Sequence, residues 1–253
     1  HGASGNLRAF TFRFVDRVKD RYRVIAFDRP GLGYSDAVPG GDSPAVQARA
    51  LRAAAAKLGV RRPIVLGQSY GASVALAWAL DAPDAAAGLV LVSGTTLPWP
   101  DELDATNAVV STARARAALA PLLSSLVNET AATGSLRTVF SPQRPPAGYA
   151  DYVGVGLALR PETIRNNARQ IAALRANLAR MSQRYGTLRL PVEIVHGDAD
   201  RVVDPDIHAA PLARRTPGAN LVLLPGAGHM PHHTHAAEVV AAIDRAARRA
   251  RLR

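Results

Sequence analysis

The fold is decided by Pro63-Ile-Val-Leu-Gly67-Gln68-Ser69-Tyr70-Gly71-Ala-Ser73, which runs directly into Val74-Ala-Leu-Ala-Trp-Ala-Leu80. A short β-branched run passes through Gly-x-Ser-x-Gly into a helical pattern, which predicts a strand, a sharp turn and a helix, with Ser69 at the apex of the turn. The glycines suit such a turn because strand and helix backbones approach too closely there for a Cβ atom. The pentapeptide alone fits two interpretations, a nucleophile or a serine that caps a helix.

The segments around this stretch alternate between helix and strand patterns. Upstream, residues 7–20 predict a helix, residues 23–28 a short apolar strand and residues 43–58 a second helix that begins with Ser43-Pro44. Downstream, residues 87–94 are too uniformly apolar for a strand with one face in water. Strict alternation of this kind predicts an α/β fold, a mostly parallel sheet with helices on both faces.

Residues 95–190 interrupt the alternation. They contain no convincing strand and are far too long for an ordinary loop. Helical patterns cover residues 101–120 and 161–185. The alternation then resumes, with strands at 191–198 and 220–224 and helices at 206–215 and from about residue 235. We therefore expect a core formed by residues 1–94 and 191–253 with residues 95–190 inserted as a helical cap; an independent helical domain is the alternative.

Composition limits the class of protein. The chain has 253 residues, of which 48% are hydrophobic and 20% charged, enough to bury a full core. No run of about eighteen apolar residues predicts a membrane span, and the absence of cysteine excludes disulfides and thiol chemistry. The formal charge is +11, but the arginines are scattered, which favours general surface charge over nucleic-acid binding. Compartment and oligomeric state do not follow from these features.

Two further loops supply the groups that a serine nucleophile needs. A serine hydroxyl requires a histidine to take its proton and a carboxylate to orient that histidine. Asp200 and His229 each come shortly after a predicted strand, and parallel strands end at one edge of their sheet. Ser69, Asp200 and His229 are therefore predicted to meet at that edge. Asp198 and Asp204 are the alternative candidates for the acid.

With these motifs the chain resembles the α/β-hydrolase fold family, in the capped branch that includes many esterases and carbon–carbon bond hydrolases. The resemblance rests on five segments in the family's order: His1-Gly2, the Asp-x-Pro-Gly-x-Gly-x-Ser loop at residues 28–35, residues 67–71, residues 197–200 and Gly228-His229. It implies that Ser69 attacks, His229 is general base and then acid, and Asp200 orients the imidazole. The family's Gly-x-x-Asp spacing favours Asp200 over the other aspartates.

The resemblance also implies an oxyanion hole formed by the backbone N–H groups of Ala3 and Tyr70. Because the nucleophile is a serine, the implied intermediate is an acyl-enzyme; the family's dehalogenases and epoxide hydrolases use aspartate there, which argues against both activities. Two features depart from the family. Gln68 stands where histidine is frequent, and no strand pattern precedes His1, so we expect natural sequence upstream.

We expect core and cap to enclose a largely apolar cleft for a small-molecule substrate, with Leu97, Trp99, Val203 and Met230 as candidate lining residues. No cofactor is predicted. The histidines at 229–235 could in principle bind zinc, but no carboxylate with ligand spacing accompanies them. We therefore predict solvated or capping histidines there and no metal site.

The expected function is hydrolysis of an ester-like bond, in a carboxylic ester, thioester or lactone. The same three residues also suit a cofactor-free acyltransferase or perhydrolase, or a carbon–carbon bond hydrolase. Two alternatives belong to other classes: a ligand-binding protein that keeps the triad without turnover, and an arginine-rich surface that binds polyanions.

Overall fold

The computed structural model describes residues 1–100 and 129–252. In this part of the chain four strands form one sheet in the order β1-β2-β3-β4. The strands are β1 (Ile64–Gln68), β2 (Gly88–Val92), β3 (Val192–Gly197) and β4 (Asn220–Leu224). Every neighbouring pair is parallel, and Val92 lies opposite both Gln68 and Val195. The predicted parallel sheet is confirmed.

Helices surround the sheet. In the described residues they are α1 (Arg8–Thr11), α2 (Pro44–Lys57), α3 (Tyr70–Asp81), α4 (Glu129–Phe140), α5 (Tyr149–Val153), α6 (Gly156–Leu159), α7 (Pro161–Ser182), α8 (Pro205–Arg215), α9 (Pro231–Thr234) and α10 (Ala236–Arg249). The helix predicted at residues 161–185 is confirmed as α7, which ends at Ser182. The helix predicted at residues 101–120 lies outside the described residues. The described part of residues 95–190 contains helices and no strand.

Two apolar layers pack against opposite faces of the sheet because successive strand side chains point to opposite faces. Leu89, Leu91 and Ile194 belong to one buried cluster, which also contains most of α3. Val90 and Val195 belong to the other, together with Ala242 and other residues of α10. β2 is buried along its whole length, as its uniform apolar sequence predicts.

Residues 7–20 do not form the single helix that their spacing predicts. α1 ends at Thr11, and a separate 3-10 turn follows at Val15–Arg17. Arg13 between them has φ 63°, a left-handed conformation that an α-helix does not tolerate. Phe14 and Val18 are nevertheless buried against the α10 face of the sheet. The spacing therefore predicts correctly that Phe14 and Val18 are buried, but the single helix that it predicts is wrong.

The strand predicted at residues 23–28 is also wrong, because these residues pair with no strand in the described part of the chain. An apolar groove of about 490 Å³ is lined by residues of both segments, among them Val24 and Ile25 and, from β1, Ile64 and Val65. Paired strands lie only about 4.8 Å apart. A groove of that size between the two segments leaves β1 as an edge of the sheet.

A buried carboxylate ties α10 to the sheet. Glu193 of β3 is fully buried and accepts hydrogen bonds from Arg245 Nε at 2.9 Å and from Arg249 Nη1 at 2.7 Å. Asn220 Nδ2 donates to the same carboxylate at 2.7 Å. A buried charge with these partners is satisfied, and removal of both arginines would leave it uncompensated. No helix in the described residues combines the length and the apolarity needed to cross a membrane.

Candidate active site

The turn between β1 and α3 holds Ser69 in a strained backbone conformation. Ser69 has φ 54° and ψ −123°, which a non-glycine residue rarely adopts. A Cβ atom on Gly67 would collide with the carbonyl oxygen of Gly71, so the turn requires glycine there. The Ser69 N–H donates to Val92 O at 3.0 Å, and its carbonyl accepts from Thr95 N at 3.1 Å. The strained serine is thus fixed to the end of β2, at the N-terminus of α3.

Asp200 and His229 form a buried pair at the same edge of the sheet. Asp200 follows β3, His229 follows β4, and His229 Nδ1 lies 2.8 Å from Asp200 Oδ2. The other carboxylate oxygen accepts from the backbone N–H groups of Val202 at 2.9 Å and Val203 at 3.0 Å. Because the carboxylate accepts from Nδ1, that nitrogen carries the proton and Nε2 of the neutral ring has a free lone pair.

The environment keeps Asp200 ionised. Burial alone would raise the pKa of this carboxyl, but hydrogen bonds from His196 and His229 outweigh burial and bring the pKa well below its usual range. His196 is fully buried at the end of β3, and its Nε2 lies 3.2 Å from Asp200 Oδ2 and 2.9 Å from Val203 O. Asp200 therefore remains an anion at neutral pH.

The two alternative acids have other roles in the structure. Asp198 is exposed, and its Oδ1 accepts from Gly226 N at 2.6 Å. Asp204 caps α8 by accepting from Asp206 N at 2.8 Å. Of the three aspartates, Asp200 is the one that contacts His229.

The structure does not bring Ser69 and His229 into hydrogen-bond contact in the described residues. His229 Nε2 instead faces the Gln68 side chain, whose Nε2 lies 3.3 Å away. The same Gln68 nitrogen donates to His229 O at 3.2 Å, and because a carbonyl only accepts, this contact fixes which end of the Gln68 amide is the nitrogen. In this structure an amide N–H occupies the lone pair that would take the proton of Ser69.

The His1-Gly2 segment lies directly against the serine turn. A Cβ atom on Gly2 would approach Ser69 Cβ to 2.9 Å, and one on Gly71 would approach His1 O to 2.9 Å. In the described part of the chain, the N–H groups of Ala3 and Tyr70 donate to no protein acceptor. Both predicted oxyanion donors are thus available beside Ser69.

Sequence reasoning missed two residues around this site. His196 precedes Asp200 by four positions, and only its place at the end of a buried strand signals its contact with the carboxylate. Arg29, within the Asp-x-Pro-Gly loop, is buried behind His1 and Gly2. The sequence offers one signal for its burial, namely that this charged residue lies between an apolar run and the Pro30-Gly31 turn.

The four predicted cleft residues are all largely buried. Met230 packs with Phe12, Phe140 and other residues near α5, while Leu97 and Trp99 join the cluster of α3 and α7. Val203 is 5% exposed. Two cavities of about 490 Å³ lie in the described residues, and none of these four side chains lines either of them. Their role in a substrate cleft stays a prediction.

His232 and His233 differ from the prediction of solvated or capping side chains, whereas His235 is partly exposed at the N-cap of α10. His232 is fully buried with both ring nitrogens unpartnered in the described residues, and its ring stacks on Phe10 at 4.9 Å. His233 packs between Phe140 and Tyr149, and burial lowers its pKa to about 4. The aromatic neighbours stabilise neutral rings there. The described residues contain no group of side chains arranged to hold a metal ion.

Comparison with known proteins gives a family model and curated relatives. The model, described as alpha/beta hydrolase fold, matches residues 1–236. A polyketide synthase of Burkholderia thailandensis, ThaQ, is 31% identical over 223 residues, which cover 85% of this chain and 10% of the synthase. A 2-hydroxy-6-oxononadienedioate/2-hydroxy-6-oxononatrienedioate hydrolase of Paraburkholderia phymatum is 38% identical over 109 residues, covering 40% of this chain and 37% of that protein. The chain therefore spans well under half the length of these two relatives.

Solved structures with the same fold include two hydrolases. A thermophilic esterase from Thermogutta terrifontis superposes with a TM-score of 0.77 at 22% identity, covering 97% of this chain and 86% of the esterase. An enol-lactonase from Burkholderia xenovorans gives 0.76 at 20% identity, covering 96% and 87%. At these identities the similarity concerns the fold.

Proposed function

This chain belongs to the alpha/beta hydrolase fold family, and from that premise we propose that it is a serine hydrolase that cleaves an ester-like bond in a small molecule through an acyl-enzyme. The observation that carries the proposal is the 2.8 Å contact between His229 Nδ1 and Asp200 Oδ2, at the same edge of the sheet as a strained serine. A helix cap alone would need neither a buried acid–imidazole pair nor an unfavourable backbone conformation.

In the proposed first step, the Ser69 hydroxyl oxygen attacks the substrate carbonyl carbon while His229 Nε2 takes the hydroxyl proton. The carbonyl electron pair moves onto oxygen, and the N–H groups of Ala3 and Tyr70 stabilise the resulting anion. Asp200 stabilises the imidazolium that forms. Before this step, His229 Nε2 must exchange the amide of Gln68 for the hydroxyl of Ser69. Such contacts often assemble only when substrate is bound.

In the proposed second step, the anion collapses, the bond to the leaving group breaks, and His229 returns its proton to the leaving oxygen or sulfur. A water molecule then attacks the acyl carbon and gives a proton to His229. Collapse of the second tetrahedral anion breaks the bond to Ser69, His229 returns the proton to the serine oxygen, and the acid product leaves. The residues of this chain supply every proton transfer in the cycle.

A second candidate is hydrolysis of a carbon–carbon bond. Several curated relatives carry the name of a dienedioate or trienedioate hydrolase, although each match covers less than half of this chain. The same nucleophile and base serve both reactions, but the leaving group is a carbon atom instead of oxygen or sulfur. Acyl transfer to an acceptor other than water is a third outcome on the same acyl-enzyme.

The proposal is tested with a panel of an ester, a thioester, a lactone and a vinylogous diketone. We expect hydrolysis of at least one of the first three, and Ser69→Ala should abolish hydrolysis of a short-chain p-nitrophenyl ester with an unchanged circular dichroism spectrum. Turnover of the diketone alone would select the carbon–carbon alternative. Tight ligand binding without turnover would select a binding protein.

A further inference from the structure

Arg29 is a buried guanidinium whose partners are all neutral. Its side chain is 2% exposed. Nε donates to His1 O at 2.8 Å, Nη2 to Gly2 O at 2.9 Å, and Nη1 to Gln47 Oε1 at 2.8 Å and to Gln170 Oε1 at 2.7 Å. Buried charges are normally paired with an opposite charge because desolvation is costly. In the described residues its four acceptors are carbonyl and amide oxygens, so no described carboxylate is bonded to the positive charge.

The nearest acid in sequence is directed elsewhere. Asp28 Oδ1 accepts from Leu7 N at 2.7 Å, and its Oδ2 accepts from Tyr34 N at 3.0 Å. Burial lowers the pKa of Arg29 to about 10. The buried guanidinium therefore keeps its charge at neutral pH.

Arg29 contacts Gly2, whose carbonyl shares a peptide group with the Ala3 N–H, and it contacts Tyr70, which carries the other free N–H. The Gly2 carbonyl and the Ala3 N–H belong to one planar trans peptide and point in opposite directions. When Arg29 holds the carbonyl oxygen, the Ala3 N–H is directed away from Arg29. The guanidinium carbon also lies 4.3 Å from the centre of the Tyr70 ring, a cation–π distance.

Helix α7 participates in the same network. Gln170 accepts from Arg29 and donates from its Nε2 to Pro30 O at 2.9 Å. One turn earlier on α7, Asn167 Oδ1 accepts from Ser4 N at 2.8 Å, next to Ala3 in the chain. The helix thus bonds to the loop of Arg29 and to the segment after Gly2 at once.

We propose that Arg29 is a positioning residue for the oxyanion hole: it holds the Gly2–Ala3 peptide so that its N–H points to the substrate, and its unneutralised charge stabilises the anion formed there. This inference rests on the proposed serine hydrolase function. A fixed positive charge at a buried position acts more strongly than one in open solvent on a negative charge that develops during reaction.

Two variants separate this role from plain structural support. Arg29→Lys keeps a positive charge but cannot bond to four acceptors at once. Gln170→Glu keeps the shape of the side chain and gives Arg29 a carboxylate partner, but it loses the hydrogen bond from Gln170 Nε2 to Pro30 O. Thermal unfolding measures the structural cost of that loss separately from kcat and boronate binding. Asn177→Asp adds the same charge two turns along α7, where the side chain contacts Arg180 and not Arg29, and serves as the matched control.

The readouts are kcat, KM and the dissociation constant of a boronic acid that forms a tetrahedral anionic adduct with serine. We expect Arg29→Lys and Gln170→Glu to lower kcat by roughly ten- to a hundredfold, with KM changed less than about threefold, and to weaken boronate binding by a similar factor to kcat. Thermal unfolding should show that the variants remain folded, and Asn177→Asp should behave like the parent.

Several results would overturn the inference. One is a folded Gln170→Glu variant with parental kcat and boronate affinity; another is an equal loss in Asn177→Asp. If the parent turns over esters and reacts with a fluorophosphonate, such a result removes only the role of Arg29. If the parent neither turns over esters nor binds boronate, the serine hydrolase proposal and this inference fail together.

Discussion

At the residue scale, the site consists of few side chains whose partners define their proposed roles. Asp200 uses one oxygen to hold the loop of Val202 and Val203 and the other to hold His229. Because the second oxygen accepts from Nδ1, the His229 tautomer with its proton on Nδ1 is the one that the carboxylate stabilises. Gln68 is the residue that competes for the free nitrogen of His229 in the structure.

We predict that Asp200→Asn lowers kcat by roughly a thousandfold or more while the protein stays folded, because an amide cannot orient and stabilise the imidazolium as a carboxylate does. Asp198→Asn is the matched control. Its side chain accepts only from Gly226 in the described contacts, so kcat should change less than threefold. The measurement is kcat for ester hydrolysis by both variants at steady state. An equal loss of kcat in the two variants would contradict the role of Asp200 as the acid that orients His229.

At the element scale, the strand–turn–helix unit of β1, Ser69 and α3 positions the chemistry. Gly71 lets the His1-Gly2 segment approach the first turn of α3, since a Cβ there would lie 2.9 Å from His1 O. The unit therefore places the proposed nucleophile, Ser69, and one proposed oxyanion donor, the Tyr70 N–H, next to each other in the backbone.

We predict that Gly71→Ala lowers kcat by about ten- to a hundredfold, because His1-Gly2 must move and the Ala3 N–H moves with it. Gly134→Ala is the control, as a Cβ at that position in α4 meets nothing within 4 Å, and alanine should stabilise the helix by up to about 1 kcal/mol. Equal kcat in the two variants would contradict this role of the close approach.

The elements that sequence predicted well are those whose pattern reports burial directly. The predicted bounds of β2 and α7 lie within a few residues of the observed ones, and the loops after β3 and β4 bring Asp200 and His229 together as the sequence predicts. The helix predicted at residues 7–20 is interrupted because Arg13 adopts a left-handed backbone conformation. The strand predicted at residues 23–28 does not form because no neighbouring strand pairs with it in the described residues. The spacing of apolar residues indicates neither the backbone conformation of a single residue nor the presence of a pairing strand. Arg29 and His196 were missed because their roles arise from contacts between distant loops.

At the scale of the whole molecule, buried neutral histidines link stability to pH. Burial lowers the pKa of His208 and of His233 to about 4 each, and it also lowers the pKa of His232 well below its ordinary value. In the unfolded chain a histidine titrates near 6.5. Between these values the unfolded state binds more protons than the folded state, so folding becomes less favourable as pH falls.

We predict that the free energy of unfolding is highest above about pH 6.5 and falls steadily towards pH 4, by on the order of 3 kcal/mol for each of His208 and His233. Urea unfolding at several pH values measures this. In His232→Phe, whose ring can keep the stack on Phe10, the fall should be less steep because one titrating group is gone. A stability independent of pH from 7 to 4.5 would contradict the account.

The central claim is that Ser69 forms a covalent acyl intermediate with His229 and Asp200 as its proton-transfer pair. The most direct measurement is peptide mass spectrometry of protein quenched in acid during turnover of a short-chain p-nitrophenyl ester. We predict one acyl group on the peptide that contains Ser69 in the parent, more of it in His229→Gln if deacylation is slowed further than acylation, and none in Ser69→Ala. An acyl group on a different residue, or parental turnover by Ser69→Ala, would contradict the account.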